Sequence, residues 1–295
     1  MTIGGLAGRF DAMRAAPHKT DSVVLVTGAT DGIGKETALE LARLGARVIV
    51  HGRSEARVAA AYRELQSVSE TPPPEPVVAD FASLSEVREL ALELARRGLA
   101  VDTLINNAGV YMKRRELSAD GIELTLAVNH FAHVLLTHLL LESPVGRSLT
   151  RVINVSSIAH VRANIDLEDI ANTRQPFDDY QAYATSKFAN VLFTVELARR
   201  LRSRGVLVNA LHPGVVSTKL LETGFEMRGP DSLGKGARTS VLLAISPEHA
   251  HISGAYFVEG RESHMHRRAT DTNLTARYYE LSVARVGVEP LPLSA

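Results

Sequence analysis

Val23-Val24-Leu25-Val26-Thr27-Gly28-Ala29-Thr30-Asp31-Gly32-Ile33-Gly34 decides the fold. Its first four residues are a short apolar, β-branched run suited to a buried strand. Glycines follow, and from Ile33 apolar residues recur at helical spacing as far as Leu44, where Gly45 ends the run. A strand that turns through glycines into a helix opens a βαβ unit. The same alternation continues downstream. Strand-like runs fall at 48–50, 77–79, 101–105, 152–155, 206–211 and 255–258. Between them lie a helix capped by Ser54 and running to about 67, one capped by Ser83 and closed after 97 by Gly98, and helices over 121–141 and 183–202. This pattern predicts an α/β fold: a Rossmann-type, doubly wound parallel sheet of about seven strands with helices on both faces. The proline-rich stretch 71–76 reads as a loop. No composition shift divides the chain, so the expectation is an N-terminal extension over 1–20 and a single domain over 21–295.

Composition narrows the function. Of 295 residues, 45% are hydrophobic and 22% charged, as in ordinary globular chains. Thirty-three basic residues balance 33 acidic ones, so no positive field draws the chain to nucleic acid or anionic membrane. With no cysteine, disulfide scaffolds, cysteine zinc sites and thiol catalysis are excluded. No apolar run near the N-terminus is long enough for a signal core or a span. The expectation is a cytoplasmic protein without a membrane anchor.

The glycine turn carries the first chemistry. Glycine permits a tight turn and lets a pyrophosphate approach bare backbone, and the helix start offers free N–H groups and a positive dipole end. An ordinary glycine turn without a ligand is the alternative. After the second strand, His51-Gly52-Arg53 supplies no acid for the ribose hydroxyls of NAD. Arg53 suits a 2′-phosphate, which favours NADP, whereas Asp31 in the turn argues the other way.

Further motifs follow in order. They are Asn106-Asn107-Ala108-Gly109 after the fourth strand, Asn129 in the next helix, Ser156-Ser157 at the end of the fifth strand, Tyr183-Ala184-Thr185-Ser186-Lys187, and His212-Pro213-Gly214-Val215-Val216-Ser217-Thr218 after the sixth. Together with the glycine turn they resemble the short-chain dehydrogenase/reductase family over roughly 23–258. Val128-Asn129-His130, Ser186-Lys187-Phe188-Ala189-Asn190 and Ser253-Gly254-Ala255-Tyr256-Phe257 resemble its retinol-dehydrogenase-like branch, as does the long span 158–182 between Ser157 and Tyr183.

That resemblance implies catalysis by Ser157, Tyr183, Lys187 and Asn129. Tyr183 and Lys187 are four apart and share a helix face. A nearby ammonium favours the phenolate, so Lys187 is expected to tune Tyr183 and to bind the nicotinamide ribose. Ser157 would hold the substrate oxygen, with Ser156 as its rival for the role, and Asn129 would support a water linking Lys187 to solvent. The implied cofactor contacts are Thr27, Gly28, Thr30, Asp31, Gly32, Ile33, Gly34, Arg53, Asp80, Phe81, Asn107, Ala108, Gly109, Tyr183, Lys187, Pro213, Gly214, Val216 and Thr218. Asp80 reads equally as a turn aspartate before Ser83, and Asn107 as a brace for the sheet.

The remaining signals are weaker. His249 with His251, and His264 with His266, lack a third ligand at metal spacing and read as surface residues. His130, His133 and His138 read as packing or interface residues. Two segments are expected to shape the substrate site: 158–182 with Ile165, Phe177 and Tyr180, and 217–236 with Leu220, Leu221, Phe225 and Met227. Their apolar character suits an apolar ketone, aldehyde or alcohol as the small-molecule substrate. Helices beginning near Gly121 and Tyr183 pair subunits in the family, so a homodimer or homotetramer is expected. The alternative to an enzyme is a non-catalytic dinucleotide-binding regulator or scaffold.

Overall fold

The computed structural model describes residues 22–143, 148–174 and 176–293. The expected extension over 1–20 lies outside them. Strand β1 spans Val23–Val26, β2 Arg47–Gly52, β3 Val77–Val78, β4 Thr103–Asn106, β5 Arg151–Val155, β6 Leu207–His212 and β7 Tyr256–Val258. They form one parallel sheet, and a short antiparallel strand, β8 over Arg261–Ser263, extends its edge. The order is β3-β2-β1-β4-β5-β6-β7-β8. The chain therefore leaves β1 in one direction and returns to its other side at β4, which opens a crevice above the sheet at that switch.

Both faces of the sheet are covered, and the strand period shows it. Val23 and Leu25 enter one core while Val24 and Val26 enter the other. Ile49 and Leu104 follow Leu25, whereas Val48, Val50 and Ile105 follow Val24. Strands buried on both faces must be apolar throughout, which is why they were readable. Helix α1 (Gly32–Arg43), α2 (Glu55–Val68) and α6 (Leu233–Ile245) cover one side. On the other side lie α3 (Leu84–Arg96), α4 (Leu124–Glu142) and α5 (Asp179–Arg200).

Several expected boundaries shift for physical reasons. Gly121 sits at φ 69° in a turn, and α4 begins only at Leu124, where the Glu123 carboxylate accepts from the Thr125 and Leu126 N–H groups. A π-turn over Ala127–Phe131 then inserts an extra residue into α4. Asp178 caps α5 one turn before Tyr183 by accepting from the Gln181 N–H. Ser54 begins α2 without the expected side-chain cap bond, whereas Ser83 caps α3 through the Glu86 N–H. The segment 217–236, expected to shape the substrate site, ends in the first turn of α6. Gly236 is needed there because a Cβ would lie 2.7 Å from the Val216 side chain.

The chain's last helix, α7 (Thr272–Val286), packs on α5 and α4. His138 Nε2 lies 2.8 Å from the Tyr279 hydroxyl, His130 Nε2 lies 3.1 Å from Ser282 Oγ, and the Arg200 guanidinium stacks 4.3 Å over the Tyr279 ring. Helix α7 thus covers the part of α4 and α5 that carries His130, His138 and Arg200. Helix α4 is long and apolar enough to cross a membrane, but nearly all of it is buried in the fold. His130, His133 and His138 are packing residues, as expected, whereas His249, expected at the surface, is buried.

Burial holds His130 and His138 down to about 4 and His133 down to about 3. The folded chain keeps these rings neutral, and the unfolded chain protonates them near their ordinary value. Between about pH 6.5 and 4 the unfolded state thus binds more protons, and stability falls as pH falls through that window. The urea midpoint should be flat above about pH 7 and drop by pH 5, with on the order of 1–2 kcal/mol lost per buried histidine.

Candidate active site

The turn after β1 and the turn after β4 meet at the switch. Gly28 has φ 65°, and a Cβ on it would lie 2.8 Å from the Ala108 Cα. The Thr27 hydroxyl sits beneath this contact, accepting from the Asn107 N–H at 2.8 Å and the Ala108 N–H at 2.9 Å. The Asn107 amide donates to the Thr27 carbonyl at 2.8 Å, so it does brace the sheet. Gly34 admits no side chain because Asn107 Nδ2 and the Gly28 carbonyl stand 2.3 and 2.4 Å from its Cβ position. The His51 ring accepts from the Gly28 N–H and contacts the Ala79 carbonyl, and Phe81 stacks on it at 4.3 Å.

Above these turns opens a cavity of about 830 Å³. It is lined by Gly28, Thr30, Asp31, Gly32, Ile33 and Gly34 of the glycine turn, by Arg53, by Asp80 and Phe81, and by Asn107, Ala108 and Gly109. It continues past Ser157, Tyr183 and Lys187 to Pro213, Gly214, Val216 and Thr218. Thr27, an expected cofactor contact, and Asn129, expected to support a water beside Lys187, do not line it. The Thr27 hydroxyl is spent beneath the loops, and Asn129 is fully buried behind Gly109. Asn129 accepts from the Val110 N–H at 2.7 Å and donates to the Val110 carbonyl and Ser186 Oγ, each at 3.0 Å. Its side chain thus clamps the β4 turn to α5, and no bond of it reaches Lys187. The extra residue of the π-turn lies in this same stretch of α4.

Lys187 and Tyr183 occupy the floor of the cavity. The Lys187 ammonium donates to the Val155 carbonyl at 3.0 Å and sits 5.6 Å from the centre of the Tyr183 ring. Burial pulls Lys187 down to about 8 and pushes Tyr183 up to about 12. Desolvation therefore outweighs the expected lowering of Tyr183, and the opposing influence comes from Ser157, hydrogen-bonded to the phenol. Of the two serines, Ser156 is occupied, its hydroxyl donating to the Lys187 carbonyl at 2.7 Å. Ser157 lies in the cavity and accepts from the Ala159 N–H.

The charged residues at the cavity mouth arrange differently from expectation. Asp31 accepts from the Gly32 N–H at 2.8 Å as the cap of α1, and its carboxylate also pairs with Arg57 and Lys219, each at 3.0 Å. These cations hold Asp31 below the usual carboxylate range. Arg57, in the first turn of α2, also lines the cavity and was not singled out by any motif. Arg53 itself forms no hydrogen bond or ion pair with the described residues. Asp80 accepts from the Ala82 N–H at 3.0 Å, so it is a turn aspartate as well as a lining residue.

On the opposite side, Leu220, Leu221, Phe225 and Met227 all line the cavity. From 158–182 only the first turn, with Ile158, Ala159, Val161 and Arg162, joins Tyr180 there. Ile165 is instead part of the core, and Phe177 packs against Arg115 outside the cavity. Tyr111 and Met112, absent from the sequence reading, complete the wall. No motif marks them, because only the path of the chain after β4 brings them there.

A parallel sheet with a glycine turn at its switch and a buried Tyr–Lys pair beneath one cavity defines a dinucleotide-dependent oxidoreductase. The sequence profile described as short chain dehydrogenase matches residues 22–229. The chain belongs to the short-chain dehydrogenase family. It is 39% identical to retinol dehydrogenase 13 of Homo sapiens, covering 96% of this chain and 88% of that protein. Retinol dehydrogenase 14 of Homo sapiens is 37% identical over 90% and 86%. An uncharacterised protein from Mycobacterium paratuberculosis superposes with a TM-score of 0.78 at 32% identity, covering 95% of this chain and 98% of that one. A short chain dehydrogenase from Burkholderia cenocepacia J2315, solved with NADP, gives 0.64 at 26% identity, covering 82% and 98%.

Thr27→Val keeps the shape of the side chain but strands two buried N–H groups. It should cost about 2–4 kcal/mol, read as a lowered urea midpoint with an unchanged slope.

Proposed function

We propose that this protein is an NADP-dependent oxidoreductase that interconverts a carbonyl and an alcohol on an apolar small molecule, with Tyr183 as the proton donor. The observation that carries this reading is the single cavity joining the glycine turn to Ser157, Tyr183 and Lys187. The residues present fit a dinucleotide. Bare glycine backbone and the start of α1 suit the pyrophosphate, and Asn107, Ala108, Gly109, Pro213, Gly214, Val216 and Thr218 line the way to Tyr183. When bound, its nicotinamide would supply or accept the hydride.

The remaining steps belong to the chain. Ser157 donates a hydrogen bond to the substrate oxygen and orients it against the Tyr183 hydroxyl. Tyr183 gives its proton to that oxygen as charge develops there, and takes it back in the oxidative direction. Lys187, held by the Val155 carbonyl, keeps a cation next to the forming phenolate. That stabilises the phenolate more than the phenol, so it lowers the barrier. Asn129 keeps Val110 and Ser186 in place as a positioning residue. The apolar wall of Leu220, Leu221, Phe225 and Met227 supports an apolar substrate.

Preference for NADP rests on Arg53, whose guanidinium pairs with none of the described residues and suits a 2′-phosphate, and on the lack of an acid at the end of β2. Asp31, which argued the other way, is neutralised by Arg57 and Lys219.

Calorimetric titration should show NADPH binding more tightly than NADH. Arg53→Ala should remove about tenfold to a hundredfold of the NADPH affinity and leave NADH nearly unaffected, as expected for one charge-assisted contact. Equal affinity for both dinucleotides in the wild type would remove the NADP assignment. Tyr183→Phe should still bind NADPH but lose carbonyl reduction by about a hundredfold or more.

A further inference from the structure

The loop between Thr218 and Gly229 is fixed over the cavity at four points, and none of them involves the residues of the reaction just described. At its neck, Ser217 Oγ donates to the Gly229 carbonyl and accepts from the Gly229 N–H, both at 3.0 Å. Gly229 cannot carry a side chain, because its Cβ position lies 1.9 Å from the Val215 carbonyl oxygen. At its start, Lys219 pairs with Asp31 of the glycine turn. At its tip, Glu226 pairs with Lys113 at 3.2 Å. Between these anchors Gly224 lies directly on Tyr111, where an added Cβ would come within 2.8 Å of the ring.

These anchors deliver one side chain. The Phe225 ring meets the Tyr183 ring edge-on, with centres 5.2 Å apart and planes at 83°. It also packs on Tyr111 at 4.6 Å, and Tyr111 in turn contacts Tyr183 at 5.4 Å. Tyr180 closes the group at 6.3 Å from Phe225. The three rings of Tyr111, Phe225 and Tyr183 therefore touch one another in a triangle, with the phenol of Tyr183 left facing Ser157.

We propose that Phe225 is a positioning residue for Tyr183: carried on an anchored loop, it holds the ring and shields it from water, so that the phenol keeps its proton until a substrate oxygen is in place. The physical basis is desolvation. Water stabilises a phenolate far more than a phenol, so an apolar cover favours the protonated form. Burial is the largest influence raising the proton affinity of Tyr183. The other groups that face Tyr183 are Tyr180 and Lys187 from α5, Tyr111 from the β4 turn, Ser157 from the end of β5, and Tyr256 from β7. Ser157 favours ionisation, and an apolar cover opposes it. Behind Tyr111, Lys113 lies 5.6 Å over its ring, Asp179 is hydrogen-bonded to its hydroxyl, and Lys113 pairs with both Asp179 and Glu226.

The inference rests on the reading of Tyr183 as proton donor only for its kinetic consequence, and the test separates the two. Phenolate absorbance is titrated in the full-length protein and in Phe225→Ala and Phe225→Leu. Each is measured against the same protein carrying Tyr183→Phe, so that the difference reports Tyr183 alone. Phe225→Ala should ionise Tyr183 about one pH unit below the wild type, whereas Phe225→Leu, which restores an apolar cover, should stay close to it. Lys113→Ala, which frees the loop tip without touching Tyr183, should move the midpoint the same way by less. An unmoved midpoint in Phe225→Ala, or an equal shift in Phe225→Leu, would overturn the proposal. The alkaline limb of kcat/KM for carbonyl reduction should follow the same order. A Phe225 effect on ionisation in a protein that reduces no carbonyl would sink the proposed activity while upholding the cover.

Discussion

Everything in the site hangs on one close approach, the contact of the β1 turn with the β4 turn. Parallel strands at a switch point send their following loops apart, and the crevice between them is useful only if the two loop bases stay together. Here the bases are joined by backbone packed without side chains, Gly28 on Ala108 and Gly34 on Asn107. One hydroxyl, that of Thr27, satisfies the two N–H groups that this packing would otherwise strand. His133, whose Nε2 lies 3.0 Å from the same hydroxyl, ties the junction to α4. A buried group with this many partners sets a geometry; it does not merely tolerate one.

From that junction a buried polar ladder runs across the sheet to α5, which carries Tyr183 and Lys187. Asn106 Nδ2 donates to Asn154 Oδ1 at 2.8 Å, and Asn154 Nδ2 donates to Thr194 of α5 at 2.8 Å. Asn190 of α5 donates to the Asn129 carbonyl, and the Asn129 side chain clamps Val110 and Ser186. These bonds set the height of α5 over the sheet, and with it the positions of Tyr183 and Lys187. Helix α7 holds α4 and α5 from outside through Tyr279, Ser282 and Arg200. The site is thus assembled from rigid elements, and its loops, above all the one bearing Phe225, are anchored onto them.

What could be read from the residues follows from where each residue's energy comes from. The interior strands were legible because both faces are buried and the sequence must be apolar throughout; Val23–Val26 falls where the sequence puts it. Strand β8 was not, because Arg261, Glu262 and Ser263 are exposed at the edge and carry no apolar signal. Helix α7 escaped notice because its buried face intersperses Leu274, Val283 and Val286 with Thr275, Tyr278, Tyr279 and Ser282, whose polar atoms blur the apolar period. The start of α6 read as loop because Gly234 and Gly236 are poor helix formers, although tight packing on Val216 demands the second of them. In the site, motifs located Tyr183, Lys187 and Ser157 but could not tell that burial dominates the proton affinity of Tyr183. The occupied state of Asn129 and the pairing of Asp31 with Arg57 and Lys219 depend on contacts far apart in sequence, which no spacing records.

One cavity joins the glycine turn to the Tyr183 phenol. The most direct test of the chemistry proposed there follows an atom. The protein is incubated with NADPH carrying deuterium at both C4 positions of the nicotinamide, together with a panel of apolar ketones and aldehydes, and the alcohols formed are weighed by mass spectrometry. The account predicts one deuterium at the former carbonyl carbon with the wild type and little or no alcohol with Tyr183→Phe. Alcohol without the label, or labelled alcohol formed equally well by Tyr183→Phe, would contradict it.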